Sequence, residues 1–181
     1  PLYSSAASDV YKRQVKTSVW NPNGQKLTEQ TIPLSQIKYN DNSLSQEFII
    51  QTPTLWSPDM PALYSAETRL YEGDQLKDIY TTPFGIRSIE IIPNKGFFLN
   101  GEKTVFKGVC NHHDLGPLGA AVNDAAIRRQ IRILKDMGCN AIRTSHNMPA
   151  PELVRACDEM GMMLMVESFD EWNKAKCANG Y

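Results

Sequence analysis

The sequence predicts two modules of different texture: a small antiparallel β-sandwich of immunoglobulin type, followed by a β-α-β-α-β run with parallel strands. Three observations predict it. Residues 15–87 carry short alternating runs divided by turn residues. Residues 88–181 change to apolar runs separated by amphipathic helical patterns. Each of three strand-like runs in that second part ends in polar, chemistry-bearing residues, as at the mouth of a barrel.

Residues 1–14 (PLYSSAASDVYKRQ) are Ser/Ala-rich and lack both strand alternation and the apolar segment of a secretory signal. They are set aside as a non-native or disordered leader, which leaves the compartment open. The sandwich strands begin at Val15 with Thr17 to Trp20, followed by Glu47 to Gln51 and Ala66 to Leu70. Asn21-Pro22-Asn23-Gly24, Asn40 to Ser43 and Glu72-Gly73-Asp74 supply turns. About five strands can be counted against about seven in such a domain, so the sandwich is expected to be truncated at its start. Leu55 to Tyr64 holds two aromatics apart with prolines. The favoured reading has Trp56 and Tyr64 covering an open edge of the sandwich core, with an exposed sugar-stacking tryptophan as the other.

Phe97 to Lys103 reads as a hairpin turning at Asn100-Gly101. Val105 to Cys110 follows as a strand buried on both faces and ends in Asn111-His112-His113-Asp114. Asn123 or Asp124 caps a helix with Ile127, Ile131, Leu134 and Met137 inward, Arg128 to Lys135 solvated, and Gly138 at its close. Asn140 to Thr144 is the second strand. Pro151 opens a helix with Leu153, Val154, Cys157 and Met160 inward and Gly161 at its end; Met162 to Val166 is the third strand.

A formal net charge of −1 leaves no electrostatic footprint for nucleic acid or an anionic membrane, and a neutral partner fits better. Cys110, Cys139, Cys157 and Cys177 form no Cys-x-x-Cys pair and are expected as buried thiols. The strand ends bring His112 and Asp114, then Arg143 and His146, then Glu167 and Asp170 toward one face, with Trp172 close behind. His113 is assigned a structural role. Two chemistries use such a set. A metal-dependent hydrolase would take His112, Asp114, His146 and Glu167 as ligands, although no His-x-His pair or His-Glu-x-x-His helix is present. Glycoside hydrolysis would hold a neutral sugar with His, Arg, Asp and Trp while two carboxylates cleave the bond. Arg143 either pairs with Glu167 or touches substrate, and Trp172 either packs the barrel or stacks on the sugar.

Gly108-Val109-Cys110-Asn111-His112-His113-Asp114, Asn140-Ala141-Ile142-Arg143-Thr144-Ser145-His146 and Glu167-Ser168-Phe169-Asp170-Glu171-Trp172 resemble glycoside hydrolase family 2, which holds β-galactosidases, β-glucuronidases and β-mannosidases. Leu55 to Tyr64 and Phe84-Gly85-Ile86-Arg87 resemble its immunoglobulin-like domain and the exit from it. The resemblance implies a jelly-roll domain, an immunoglobulin-like sandwich (here 15–87) and a (β/α)8 TIM barrel of about 250 residues, of which 88–181 would supply the first three βα units. It implies that His112 and His146 contact the glycone, that Arg143 braces the site, that Glu167 stands at the barrel mouth, and that Asp170 and Trp172 approach the sugar. Both catalytic glutamates, the acid/base after strand four and the nucleophile on strand seven, would lie past Tyr181.

The expectation is therefore a fragment of a retaining β-glycosidase, a β-galactosidase first, inactive by itself. No cofactor is expected. A divalent cation is allowed in the full-length enzyme without support from this segment, as is a homo-oligomer. Departures at Asn147, where an aromatic often follows the histidine, and at Val166, where an acidic residue often precedes the glutamate, leave the glycone open. A non-catalytic carbohydrate-binding protein is the third reading.

Overall fold

The computed structural model describes residues 13–36, 43–171 and 177–178. The chain divides into two compact units, one of residues 1–54 and 63–86, the other of residues 55–62 and 87–181. Among the described residues no helix is long and apolar enough to cross a membrane.

The first unit is one antiparallel sheet of β1 (Arg13–Trp20), β2 (Lys26–Pro33), β3 (Tyr64–Glu72) and β4 (Gln75–Phe84), in the order β2-β1-β3-β4. The β1–β2 turn forms as expected: Asn21 Oδ1 accepts from the N–H groups of Asn23 and Gln25, and Gly24 takes positive φ. Gly73 does the same between β3 and β4. Glu47 to Gln51 departs from expectation, since no ladder forms there. Its alternation survives, with Gln46, Phe48 and Ile50 half-buried and Ile49 exposed. Side chains tether the segment instead. Gln30 Nε2 donates to the Glu47 carbonyl, Gln46 Nε2 to the Gln30 carbonyl, and the Thr17 hydroxyl to Gln46 Oε1. Tyr64 is buried, stacks on Phe84 at 5.6 Å, and accepts the Thr54 N–H.

Glu29 on β2 gathers Lys16, Ser18 and Lys26, at 2.7, 2.7 and 3.0 Å. These partners, Lys16 foremost, hold its carboxyl down at about 2, against an ordinary 4.5. A depressed carboxylate pKa stabilises the fold above the ordinary value, and that stability is lost as pH falls through the folded one. The melting midpoint of the first unit should therefore drop between pH 4.5 and about 2. Glu29→Gln should flatten that part of the profile in thermal melts taken across the range; an unchanged slope would count against the network.

The second unit opens with a small antiparallel sheet of β5 (Ile89–Ile92), β6 (Gly96–Leu99) and β7 (Glu102–Lys103). Asn100 and Gly101 both have positive φ, as a two-residue hairpin turn requires. Strand β5 has no counterpart among the strands expected from the sequence. Next come β8 (Gly108–Asn111), α1 (Asp124–Asp136), β9 (Ala141–Thr144), α2 (Pro151–Met160) and β10 (Met163–Val166), with the three strands parallel in the order β10-β9-β8. Asn123 caps α1 by accepting the Ala126 N–H, and Gly161 closes α2 in the left-handed conformation.

Both helices cover one face of this sheet. Ile127, Ile131, Leu134, Ala156 and Cys157 close on Ile142 and Met162, with Val109 and Leu164 at the margins. Only β9 has a neighbour on each side, and it alone is largely buried. The expected burial of the first strand on both faces therefore fails: the strand is the shorter edge strand β8, where Cys110 is exposed, and Val105 and Phe106, also exposed, precede it. Met137 and Val154 are also exposed rather than inward, because Met137 caps α1 beyond its buried stripe and Ala156 takes the place beside Cys157. The α1 cations are not all simply solvated. Arg128 pairs with Asp124 and with Glu159 of α2, and Lys135 Nζ donates to the Pro58 and Gly161 carbonyls.

Trp56 corrects a further expectation, since its partners are in the second unit. It is 2% exposed, its indole N–H donates to the Asp158 carbonyl at 2.8 Å, and the Arg87 guanidinium lies 5.1 Å from its ring centre. Of the four thiols, all free, only Cys157 is buried, and burial pushes it up to about 12, leaving it inert. Cys139 is half-buried. Cys110 and Cys177 are exposed, contrary to expectation, Cys110 because it points away from the helix-covered face of an edge strand.

Candidate functional site

Strand alternation settles which side chains meet. Ile142 and Thr144 share the helix side of β9, so Arg143 turns to the other face, level with Cys110 on β8 and Met165 on β10. Past the strand ends the chain supplies His112, His146, Glu167 and Asp170, which puts all of them at the carboxyl end of a parallel sheet.

Glu167 is the hub. Its Oε1 lies 3.0 Å from Arg143 Nε and its Oε2 2.9 Å from His146 Nδ1. The Arg143 contact is an ion pair by distance without hydrogen-bond alignment of the Nε–H. The Glu167 backbone N–H donates to Thr144 Oγ1 at 3.1 Å, which ties the start of the β10 loop to the end of β9. Asp170 Oδ1 stands 4.0 Å from His146 Nδ1, and the His112 ring meets the His146 ring edge-on, with centroids 5.4 Å apart at 82°. Ser145 is fully buried between Thr144 and His146, and the Ser145–His146 peptide is cis.

The structure thus brings together His112, Arg143, His146, Glu167 and Asp170. The Arg143–Glu167 pair weighed from sequence is formed. Asp114 is engaged differently: its Oδ1 accepts the Gly116 N–H at 2.7 Å, shaping the loop after β8. It lines, with His112, His113, Gln130, Thr144 and Met148, a cavity of about 70 Å³ over the first turns of the helices. Trp172 lies outside the described residues. Thr144 and the reciprocal Asn111–Gln130 amide pair were missed by sequence reasoning. Only the polar residues at the last positions of β8 and β9 hinted at them. Among the described residues no three His, Cys, Asp or Glu side chains converge as a metal site, so the metal-hydrolase reading lacks its ligand set.

Comparison with known proteins identifies the setting. Residues 3–87 match the family described as Glycosyl hydrolases family 2, and residues 90–177 match Glycosyl hydrolases family 2, TIM barrel domain. The chain belongs to glycosyl hydrolases family 2. Its relatives in the family include the beta-galactosidase BoGH2A of Bacteroides ovatus, 52% identical over 137 residues, which are 76% of this chain and 16% of that protein. A putative beta-glucuronidase of Formosa agariphila is 44% identical over 72% of this chain and 13% of its own length. Among solved structures, a beta-glycosidase from Bacteroides vulgatus superposes with a TM-score of 0.79 at 41% identity, over 92% of this chain and 21% of that one. The chain thus spans about a sixth or less of the length of these two curated family 2 relatives. The strand-end cluster lies within residues 90–177, which match the family's barrel domain.

Proposed function

We propose that the full-length protein to which these residues belong is a retaining β-glycosidase acting on a neutral β-linked sugar, a β-galactoside first. Strands β1 to β4 form part of its immunoglobulin-like domain, and β8, β9 and β10 are the first three strands of its eight-stranded barrel. His112, Arg143, His146, Glu167 and Asp170 wall the sugar site, with Asp114 shaping its first loop. The two catalytic glutamates come from later strands, one protonating the leaving group and the other forming the glycosyl-enzyme intermediate.

The observation that carries this reading is the Glu167 hub at the carboxyl end of the parallel strands. It also bears on the sugar. Among the described residues of the cluster, the Arg143 guanidinium lies against Glu167 and Asp170 adds a second carboxylate beside His146, so an anionic glycone would meet two carboxylates there. That favours a galactoside over a glucuronide, although relatives bear both names.

An aryl-glycoside panel on the full-length protein tests it. The expected result is release from the β-galactoside with retained anomeric configuration, and none from the β-glucuronide; the reverse preference would sink the assignment. The 181-residue chain alone should turn over neither. Measurable hydrolysis by it would place the catalytic carboxylates among the residues described above.

A further inference from the structure

We propose that Glu167 is a positioning residue: it holds His146 in the tautomer protonated at Nδ1, so that the neutral ring presents Nε2 as a hydrogen-bond acceptor for a sugar hydroxyl. This deepens the reading above and rests on His146 facing the sugar.

The contacts leave one sense for the bond. An ionised carboxylate carries acceptors only, so the 2.9 Å contact between Glu167 Oε2 and His146 Nδ1 requires the proton on Nδ1. The opposite tautomer would set a nitrogen lone pair against a carboxylate oxygen. Three further contacts keep the geometry in place. The Arg143 guanidinium stands as an ion-pair partner 3.0 Å from Oε1, so both carboxylate oxygens have a neighbour of opposite or donor character. The bond from the Glu167 N–H to Thr144 Oγ1 fixes the backbone from which the carboxylate reaches back. The His112 ring packs edge-on against His146, opposing a ring flip that would put Cδ2 in the place of Nδ1 beside Glu167. Asp170 Oδ1, 4.0 Å from the same nitrogen, is too far for a hydrogen bond but adds negative charge on the Nδ1 side.

With Nδ1 engaged, specificity falls to Nε2. A bare imidazole nitrogen accepts from a hydroxyl and gains nothing from a fluorine or carboxylate oxygen, neither of which has a proton to donate. Glu167 therefore acts behind His146, as an orienting carboxylate does behind a histidine in other sites. It has no need to touch the sugar itself.

The test is ring-¹⁵N histidine NMR on the full-length protein, with the His146 signals identified by their loss in His146→Gln. Near neutral pH the wild type should show a protonated Nδ1 and a bare Nε2. Glu167→Ala should move the ring toward Nε2–H and lower kcat/KM on the aryl galactoside by up to about tenfold, the worth of one good hydrogen bond. Glu167→Gln, which keeps an acceptor oxygen for Nδ1–H, should recover the tautomer and most of the loss. In a series of monodeoxyfluoro galactosides, the wild type should discriminate against one member and Glu167→Ala should do so less. A bare Nδ1 in the wild type overturns the proposal without recourse to any variant, as does a tautomer unmoved in Glu167→Ala. An unchanged kcat/KM in His146→Ala would instead defeat the sugar-facing reading of the site, independently of the spectrum.

Discussion

Replacing Gly108 with alanine should unpair the first parallel strand of the barrel unit. A Cβ at this position would stand 1.9 Å from the Ala141 carbonyl oxygen and 2.7 Å from its carbon, distances no real side chain tolerates. Gly108 and Ala141 are register partners in the β8–β9 ladder, so the obstacle is backbone with nowhere to swing. Relief requires β8 to leave β9 or β9 to move, and β9 carries Ile142, 1% exposed, at the centre of the core. The requirement is for space rather than for an unusual dihedral. Overpacking of side chains alone costs about 1–3 kcal/mol, and displaced backbone puts this substitution at or above the top of that range. Because His112 follows β8 directly, the site should suffer with the strand. Urea denaturation and limited proteolysis of the full-length protein give the readout. The unfolding midpoint should fall, and cleavage between residues 104 and 120 should come early. An alanine variant with wild-type midpoint and protection would show that the strands separate at little cost.

The second unit was legible in the sequence because its signals are local. Asn123 and Gly161 cap their helices through bonds spanning a few residues, Pro151 opens α2, and Asn100-Gly101 enforces its turn through two positive φ angles. The strand-end cluster was legible for a related reason. Polar groups closing three apolar runs can be counted without knowing what they touch, and the same count found His112, Arg143, His146, Glu167 and Asp170. Their roles were not legible. That Glu167 rather than a histidine is the hub, and that Asp114 is taken by Gly116, depends on loop geometry no spacing encodes. The same limit explains the first unit. Alternation at Glu47 to Gln51 reports a half-buried extended segment, which is present, but cannot report whether a ladder partner stands beside it. Cys110 read as buried because a buried strand was assumed to have two neighbours, and an edge strand has one, while Val105 falls ahead of the strand altogether.

Trp56→Ala is expected to destabilise the second unit by about 3–5 kcal/mol, the usual cost of removing a large buried aromatic. A partner decides where the loss falls. The Trp56 indole donates to the Asp158 carbonyl near the end of α2, and Asn100 Nδ2 donates to the Trp56 carbonyl at 3.0 Å from the β6–β7 turn. Two residues on, the Pro58 carbonyl accepts from Lys135 of α1 at 2.8 Å and would lie 2.2 Å from a Cβ on Gly161. The segment 55–62 is thus a strap across the ends of both helices, and Trp56 is its anchor. Hydrogen exchange on the full-length protein should show faster exchange in α2 for the alanine variant, with β1 to β4 little changed. Trp56→Phe keeps most of the buried area and loses the N–H donor, leaving the Asp158 carbonyl without that bond, so about 1 kcal/mol of the loss should remain. If instead β1 to β4 loosened and α2 held, Trp56 would be closing the sandwich, as its sequence context first suggested. The two contacts that decide against that are the bond to Asp158 and the guanidinium of Arg87 over the ring, both absent from any reading of residues 55–64 alone.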